Sequence, residues 1–184
     1  EELAKLDTTG KITTKYQAKF VPNQTLELIS PTDTPRLIPH LSANIFHPNK
    51  SPIGFPVSQE LFSINEIYNR LAPLIGKTFN DPGIIQERNR GAGLHKLVCE
   101  ALGYSSYADD GKFPDIKNQL LEVKLQTSPT IDLGLVCPDS LENIGLSIDT
   151  TILRHCDTRY AVFYATTNGT LVTLTNLVIT TGEN

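Results

Sequence analysis

An Asn168-Gly169 pair between two apolar segments is the feature of this sequence that most restricts its fold. The flanking residues 160–167 and 170–178 are rich in β-branched and aromatic side chains. Asn-Gly between such segments is a strong signal for the tight turn of a β-hairpin. The sequence therefore predicts an antiparallel strand pair near the end of the chain, and the fold must contain a sheet.

Residues 121–126 read Leu-Glu-Val-Lys-Leu-Gln and alternate strictly between apolar and polar side chains. Successive side chains of a strand point to opposite faces, so this segment is predicted to be a strand with one apolar and one charged face. Residues 131–136 are predicted to form a further strand, ended by Cys137-Pro138.

Two helices are predicted before these strands. Ser63 and Glu66 form a capping box that begins the first, and Pro73 is expected to kink or shorten it. In residues 94–101, apolar side chains recur at i, i+3, i+4 and i+7, and Gly103 is placed to end this second helix. Helices followed by a mixed or mainly antiparallel sheet indicate an α/β fold.

A chain of 184 residues is long enough for one domain with a substantial core. We expect residues 1–58 to form an irregular arm with a candidate hairpin, and residues 59–184 to form the compact domain. No apolar run approaches the ~20 residues that a transmembrane helix needs. Methionine is absent, which indicates a processed chain or part of a longer one.

The three cysteines, Cys99, Cys137 and Cys156, are widely spaced and cannot all pair. They are predicted to be free thiols in a reducing compartment, the cytoplasm. The net charge of −4 argues mildly against a nucleic-acid partner. It does not exclude one, because a nuclease concentrates carboxylates at its metal site and needs positive charge only along its groove.

Glu122 and Lys124 lie two residues apart on the predicted strand and therefore project from one face. Asp115 follows Phe113-Pro114, and the polar residues 117–119 can turn the chain between the two carboxylates. If Asp115 ends one strand and Glu122 lies on the next, their oxygens converge, and such oxygen ligands are what Mg²⁺ selects. A lysine beside them suits metal-assisted hydrolysis.

The alternative is structural: Glu122 and Lys124 could form an exposed ion pair on a solvated strand face. Glu100, near the end of the second helix, is open to the same two interpretations. It is either a surface glutamate or a third carboxylate that completes an acidic cluster.

Residues 88–103, which contain Arg-Gly-Ala-Gly-Leu-His and end in Glu-Ala-Leu-Gly, resemble the glycine-containing helix of MutH-type endonucleases. Residues 113–129, with Phe-Pro-Asp and then Leu-Glu-Val-Lys-Leu-Gln-Thr-Ser-Pro, are similar to the Asp … Glu-Leu-Lys-Thr-x-Pro segment of that family. The resemblance extends over roughly residues 60–175. It implies a restriction-endonuclease-like core, in which helices flank a mixed central sheet, with the PD-(D/E)XK type of site.

The resemblance further implies Asp115 and Glu122 as metal ligands, and in the hypothesis of phosphodiester hydrolysis the backbone carbonyl of Val123 helps them to hold Mg²⁺. It implies Lys124 as the catalytic lysine and Glu100 as an acid contributed by the helix.

A basic residue precedes the next strand in that family; Arg159 lies closest to this position here, with Arg154 or His155 as alternatives. Further basic side chains are predicted to contact flanking phosphates: Arg88, Arg90 and Lys96.

The predicted function is that of a Mg²⁺-dependent DNA endonuclease, of type II restriction or MutH-like kind, acting on double-stranded DNA. The alternatives are a non-catalytic DNA-binding or assembly domain of a larger nuclease, and a repair or junction nuclease with the same site. The expected protein partners are a second copy in a symmetric homodimer or other domains of a larger chain. No membrane partner is expected.

Overall fold

The computed structural model describes residues 16–19, 29–44, 51–81, 87–127 and 130–184, with the backbone alone at 16–19, 87–90 and 130–132. Two α-helices and eight strands lie in these ranges. The helices are α1 (Ile64–Leu71) and α2 (Glu87–Leu102). The strands are β1 (Tyr16–Lys19), β2 (Thr78–Asn80), β3 (Leu121–Gln126), β4 (Thr130–Gly134), β5 (Asn143–Ile148), β6 (Thr151–Arg154), β7 (Arg159–Thr167) and β8 (Leu171–Thr181).

The first helix begins as predicted. The Ser63 side chain accepts a hydrogen bond from the backbone N–H of Glu66 at 3.2 Å and so caps α1. The α-helix ends at Leu71 and continues as one turn of 3-10 helix over Ala72–Leu74, because Pro73 cannot donate a backbone hydrogen bond. The predicted shortening by proline is confirmed.

The second helix begins seven residues earlier than its apolar stripe, at Glu87. Its first turns are the polar, glycine-containing segment for which no apolar periodicity exists. Gly103 has a φ of +93° and ends the helix as predicted, because glycine adopts this left-handed conformation without strain.

The main sheet has four strands in the order β2-β8-β7-β3. β7 and β8 form the predicted antiparallel hairpin around Asn168-Gly169, and β2 adds antiparallel to β8. β3 pairs in parallel with β7, so the sheet is mixed. Among the described strands of this sheet, β3 has no neighbour on its other side.

Two smaller strand pairs complete the described sheets. β1 pairs antiparallel with β4, the strand predicted over residues 131–136, rather than with a neighbouring segment of the arm. The partner strand predicted for the hairpin of the arm is Thr25–Ile29; residues 25–28 lie outside the described residues, and Ile29 forms an isolated parallel bridge with Ile179 of β8. β5 and β6 form a hairpin that the sequence did not predict.

The hydrophobic core lies between the two helices and one face of the main sheet. Apolar side chains of α1, α2, β7 and β8 meet there, and Leu121 of β3 is buried among them with Val123 and Leu125 at its border. The opposite face of β3 carries Glu122 and Lys124, in register with Tyr160 and Val162 of β7. The alternation predicted for β3 is therefore confirmed. None of the described helices is long and apolar enough to cross a bilayer.

Candidate active site

Asp115 and Glu122 are brought together by a short, tightly closed turn. The backbone of Ile116 donates to the carbonyl of Leu121 at 2.9 Å and accepts from the Leu121 N–H at 3.1 Å. Between them, Lys117–Gln119 form one 3-10 turn. The residues on either side of this closed pair are Asp115 and Glu122, so both carboxylates lie at its open end.

Asp115 does not end a strand, which was the condition under which the two carboxylates were expected to converge. Asp115 lies in an irregular segment, and only the isolated bridge of Ile116 to Leu121 links that segment to β3. Six residues are too few for two paired strands and a turn of this kind. The two carboxylates still converge, because the backbone bridge between Ile116 and Leu121 holds the segment of Asp115 against β3, as a paired strand would.

Buried polar side chains hold this turn on the side that faces the protein interior. The Arg159 guanidinium, fully buried, donates to the carbonyl oxygens of Gln119 and Phe62, each at 2.5 Å. The Gln119 side chain accepts from the Phe62 N–H at 2.8 Å, and Asn118 accepts from the Tyr104 hydroxyl at 2.9 Å. We call Arg159, Gln119 and Asn118 the turn anchor.

The carboxylates and the lysine form one hydrogen-bonded unit. The Asp115 N–H donates to Glu122 Oε2 at 3.1 Å, and the Val123 N–H donates to Asp115 Oδ2 at 2.9 Å. Lys124 Nζ lies 2.6 Å from Glu122 Oε1. Glu122 is only 7% exposed, so its charge is held beside Asp115 with little help from water. Each carboxylate thus has one oxygen fixed by a backbone amide.

Burial and, second, the adjacent Glu122 charge together raise the pKa of Asp115 from its ordinary 3.8 to about 7. The Val123 amide and the Lys124 ammonium lower the pKa but do not offset these effects. Two carboxylates packed this closely repel each other when both are ionised. Strongly shifted acids in a cleft are typical of functional sites.

A cleft of about 370 Å³ opens beside the two carboxylates. Its walls are the N-terminal half of α2 on one side and β3 with the preceding loop on the other. It is lined by Gly91, Ala92, Leu94 and His95 of α2, by Asp109 and Asp115, and by residues 122–125.

The donor set fits Mg²⁺ better than a softer metal. Asp115 and Glu122 offer carboxylate oxygens, and the mutual repulsion of their charges is what a cation would relieve. Within the described ranges, no group of three or more His, Cys, Asp or Glu side chains surrounds a common point. Two carboxylates would leave most of the coordination positions of Mg²⁺ to water.

The structure does not bring Glu100 into this cleft. Glu100 is exposed on α2, where its Oε1 accepts from the Tyr107 hydroxyl at 3.0 Å and lies 3.9 Å from Lys96 Nζ. These contacts are those of a surface glutamate, which was one of its two interpretations.

The predicted DNA contacts have different surroundings. Arg159 is a correction: it is part of the turn anchor, completely buried and 3.4 Å from Asp33, and has no surface for a phosphate. Arg154 is half-buried on β6, and Lys96 is exposed on α2. The side chains of Arg88 and Arg90 lie outside the described part of the chain.

Sequence reasoning missed His95 and Asp109 as residues of the cleft. His95 was one more polar residue inside an apolar stripe, and Asp109 stood in a polar loop. The available signal was helical spacing: His95 and Cys99 are one turn apart, so they share a face. The structure places His95 Nε2 3.4 Å from Cys99 Sγ.

Comparison of the chain with protein-family models, with curated proteins and with solved structures found no match. The fold and the site define a mixed α/β protein whose cleft carries a paired carboxylate and a lysine.

Proposed function

We propose that this protein is a Mg²⁺-dependent endodeoxyribonuclease that hydrolyses phosphodiester bonds of double-stranded DNA through a PD-(D/E)XK site. One observation carries the proposal: Asp115 and Glu122 are tied together by backbone amides in a cleft, with Lys124 Nζ 2.6 Å from Glu122. A buried carboxylate pair with an adjacent amine suits metal-assisted hydrolysis more closely than a role in stability.

The two carboxylates and the Val123 carbonyl would hold the ion. When bound, Mg²⁺ supplies positive charge that acidifies water and stabilises the charge that develops on the phosphate. Asp115 and Glu122 are fixed before any substrate arrives, because each accepts from a backbone N–H of this segment. Rigid ligands of this kind need little reorganisation during reaction.

Besides the charge of the metal ion, the proposed site has the positive charge of the Lys124 ammonium. This ammonium lies on the same face of β3 as Glu122 and lines the cleft. From there it orients the attacking water and stabilises the negative charge of the transition state. The 2.6 Å between Lys124 Nζ and Glu122 Oε1 puts the ammonium directly beside the proposed metal ligand.

The fold supports the same proposal at a coarser level. A mixed sheet with helices on one face fits a restriction-endonuclease-like core, and β3 carries the site at the outer position of the described sheet. The type II restriction and MutH-like kinds of enzyme share this kind of core.

Cleavage of supercoiled plasmid tests the proposal. Wild-type protein is expected to relax or linearise the plasmid with Mg²⁺ and to be inactive in EDTA. Glu122→Gln and Lys124→Ala are each expected to lower the rate by about 100-fold or more, since each removes a group that acts in the transition state. Glu142→Gln and Lys77→Ala, both at exposed positions outside the cleft, are the matched controls. Undiminished cleavage by Glu122→Gln contradicts the assignment.

A second candidate is a non-catalytic DNA-binding or assembly domain of a larger nuclease. The same ion pair favours it, because Lys124 already neutralises Glu122 without any metal. This candidate predicts DNA binding that persists in EDTA, with no cleavage under Mg²⁺ or Mn²⁺. Cleavage of branched DNA in preference to plasmid instead selects a repair or junction nuclease.

A further inference from the structure

His95 lines the same cleft as the two carboxylates but belongs to a different element. It lies on α2 and is only 8% exposed. Asp115, Glu122 and Lys124 lie on β3 and the segment before it. Anything held in the cleft therefore meets both an imidazole and the carboxylate pair.

The partner of His95 determines which ring nitrogen is a donor. Nε2 lies 3.4 Å from Cys99 Sγ, one turn further along α2, and Cys99 is completely buried. Burial, followed by the charges of Asp109 and Asp115, raises the pKa of the Cys99 thiol to about 12. The sulfur thus keeps its hydrogen and is able to donate it to Nε2. In the tautomer that accepts this bond, Nδ1 carries the hydrogen of the ring.

Nδ1 has no hydrogen-bond partner among the described residues. Nδ1 is not one of the fully buried atoms without a partner, so it reaches the solvent of the cleft, where water or a ligand can accept from it. Of the described side chains that line the cleft, only His95 and Lys124 have an N–H to donate, and Lys124 is paired with Glu122. Among the described side chains of the cleft, His95 is therefore the one with an N–H group that is not paired with a carboxylate of the cleft.

We propose that His95 is a substrate-positioning residue, whose Nδ1–H donates to a non-bridging oxygen of the phosphodiester held against Asp115 and Glu122. This inference rests on the proposed nuclease function. An anionic phosphate is repelled by the carboxylates, and a donor on α2 fixes it at that position. The hydrogen bond forms with bound substrate and persists in the transition state, so it acts on binding rather than on turnover.

Steady-state cleavage of supercoiled plasmid with Mg²⁺ tests the inference. His95→Ala is expected to raise KM about tenfold and to leave kcat within about twofold, as the loss of a charge-assisted hydrogen bond made equally in both states requires. His95→Asn, whose side-chain amide keeps a donor near the position of Nδ1, is expected to recover most of the lost affinity. His40→Ala, at a histidine bonded to Ser58 and Thr151 outside the cleft, is the control.

Each other outcome overturns the inference. An unchanged KM in His95→Ala removes the phosphate contact, and an increased Mg²⁺ requirement at unchanged KM assigns the ring to the metal instead. A wild-type protein that cuts no plasmid overturns the proposed function and this inference with it. Normal His95→Ala activity beside inactive Lys124→Ala overturns this inference alone.

A measurement on wild-type protein is independent of how the variants fold. Nitrogen NMR of the imidazole is expected to show hydrogen on Nδ1 in the free protein. The Nδ1 signal is then expected to shift when a DNA duplex is added with Ca²⁺ in place of Mg²⁺. A free protein with hydrogen on Nε2 alone, or an Nδ1 signal that ignores the duplex, contradicts the proposal.

Discussion

The proton of Asp115 links the site to the stability of the fold. Its pKa of about 7 in the folded protein lies above its ordinary 3.8, so the folded state binds a proton that the unfolded state has released. Stability is therefore expected to fall as the pH rises from about 4 to about 7, over the interval in which the folded protein holds this extra proton.

Replacement of Asp115 by Asn removes that effect. In metal-free buffer at about pH 8, Asp115→Asn is expected to raise Tm by about 3–6 °C, because the repulsion from Glu122 disappears. The Asn side-chain oxygen still accepts from the Val123 N–H, so the geometry is preserved. At about pH 4 the two proteins should melt nearly together. Thermal unfolding followed by circular dichroism makes the measurement, and parallel pH profiles for both proteins contradict it.

Glu100 gives a prediction of the opposite kind. Its contacts with Tyr107 and Lys96 lie on the exposed side of α2, outside the cleft. Glu100→Gln keeps a side-chain oxygen for the Tyr107 hydroxyl and is expected to cleave plasmid within about twofold of wild type, as surface substitutions usually do. A loss comparable to that of Glu122→Gln would restore Glu100 to the catalytic group.

For Arg159 and Glu100, the sequence gives a charged side chain but does not indicate where the fold places it. An arginine at the start of a strand is usually exposed, and no local pattern signals that Asp33 and two backbone carbonyls enclose it. Asp115, Glu122 and Lys124 were predictable because a short turn and a two-residue spacing bring them together locally. Long-range burial carries no comparable signal in one sequence.

At the scale of elements, two glycines of α2 have different surroundings. A Cβ on Gly93 would lie 2.8 Å from a ring carbon of Phe79 in β2, whereas a Cβ on Gly91 would meet nothing within 4 Å. The absence of a side chain at Gly93 thus lets the helix approach the sheet closely. At Gly91 it leaves open space beside the cleft.

Alanine at the two positions is therefore expected to have opposite effects. Gly91→Ala should stabilise the protein by about 0.5–1 kcal/mol, since alanine loses less backbone freedom in a helix. Gly93→Ala should destabilise it by about 1–3 kcal/mol, because the helix or the Phe79 ring must shift. Urea denaturation of both variants measures the difference. Equal changes would contradict the close contact of α2 with β2.

Elements with a strong periodic pattern were predicted and the others were not. β3, the β7–β8 hairpin and the capped start of α1 follow local rules that hold in this fold. The β5–β6 hairpin was missed because Gly145 interrupts its alternation and its register shifts between Asn143 and Ser147. The early start of α2 was missed because its first turns have no apolar face to signal it.

At the scale of the whole molecule, a net charge of −4 makes any DNA contact depend on a few local cations. Lys96 is exposed beside the cleft-lining His95. If it contacts a phosphate, Lys96→Ala should reduce the slope of log affinity against log salt concentration by about one. Lys77→Ala, at an exposed position on the chain segment before β2, is the control. Fluorescence anisotropy of labelled duplex with Ca²⁺ measures both slopes, and identical slopes refute the contact.

Cutting both strands of a duplex calls for two active sites, so a symmetric dimer on DNA is expected. Sedimentation of the protein with duplex and Ca²⁺ should show two copies per duplex. One copy per duplex, together with nicked rather than linear plasmid as the product, would instead indicate a strand-nicking enzyme.

The turn anchor makes the distance between the two carboxylates a property of the protein interior. The buried Arg159 guanidinium donates a hydrogen bond to the backbone carbonyl of Gln119. One residue more or fewer between 116 and 121 would displace that carbonyl and separate the carboxylates of Asp115 and Glu122. The exposed loop at 105–112, immediately upstream, is attached to the turn by a side-chain ion pair of Asp110 with Lys117, and side-chain contacts tolerate changes in loop length better than a buried backbone carbonyl does. Divergent copies of this protein should therefore vary in length ahead of Phe113 and keep an invariant count of residues from Asp115 to Glu122.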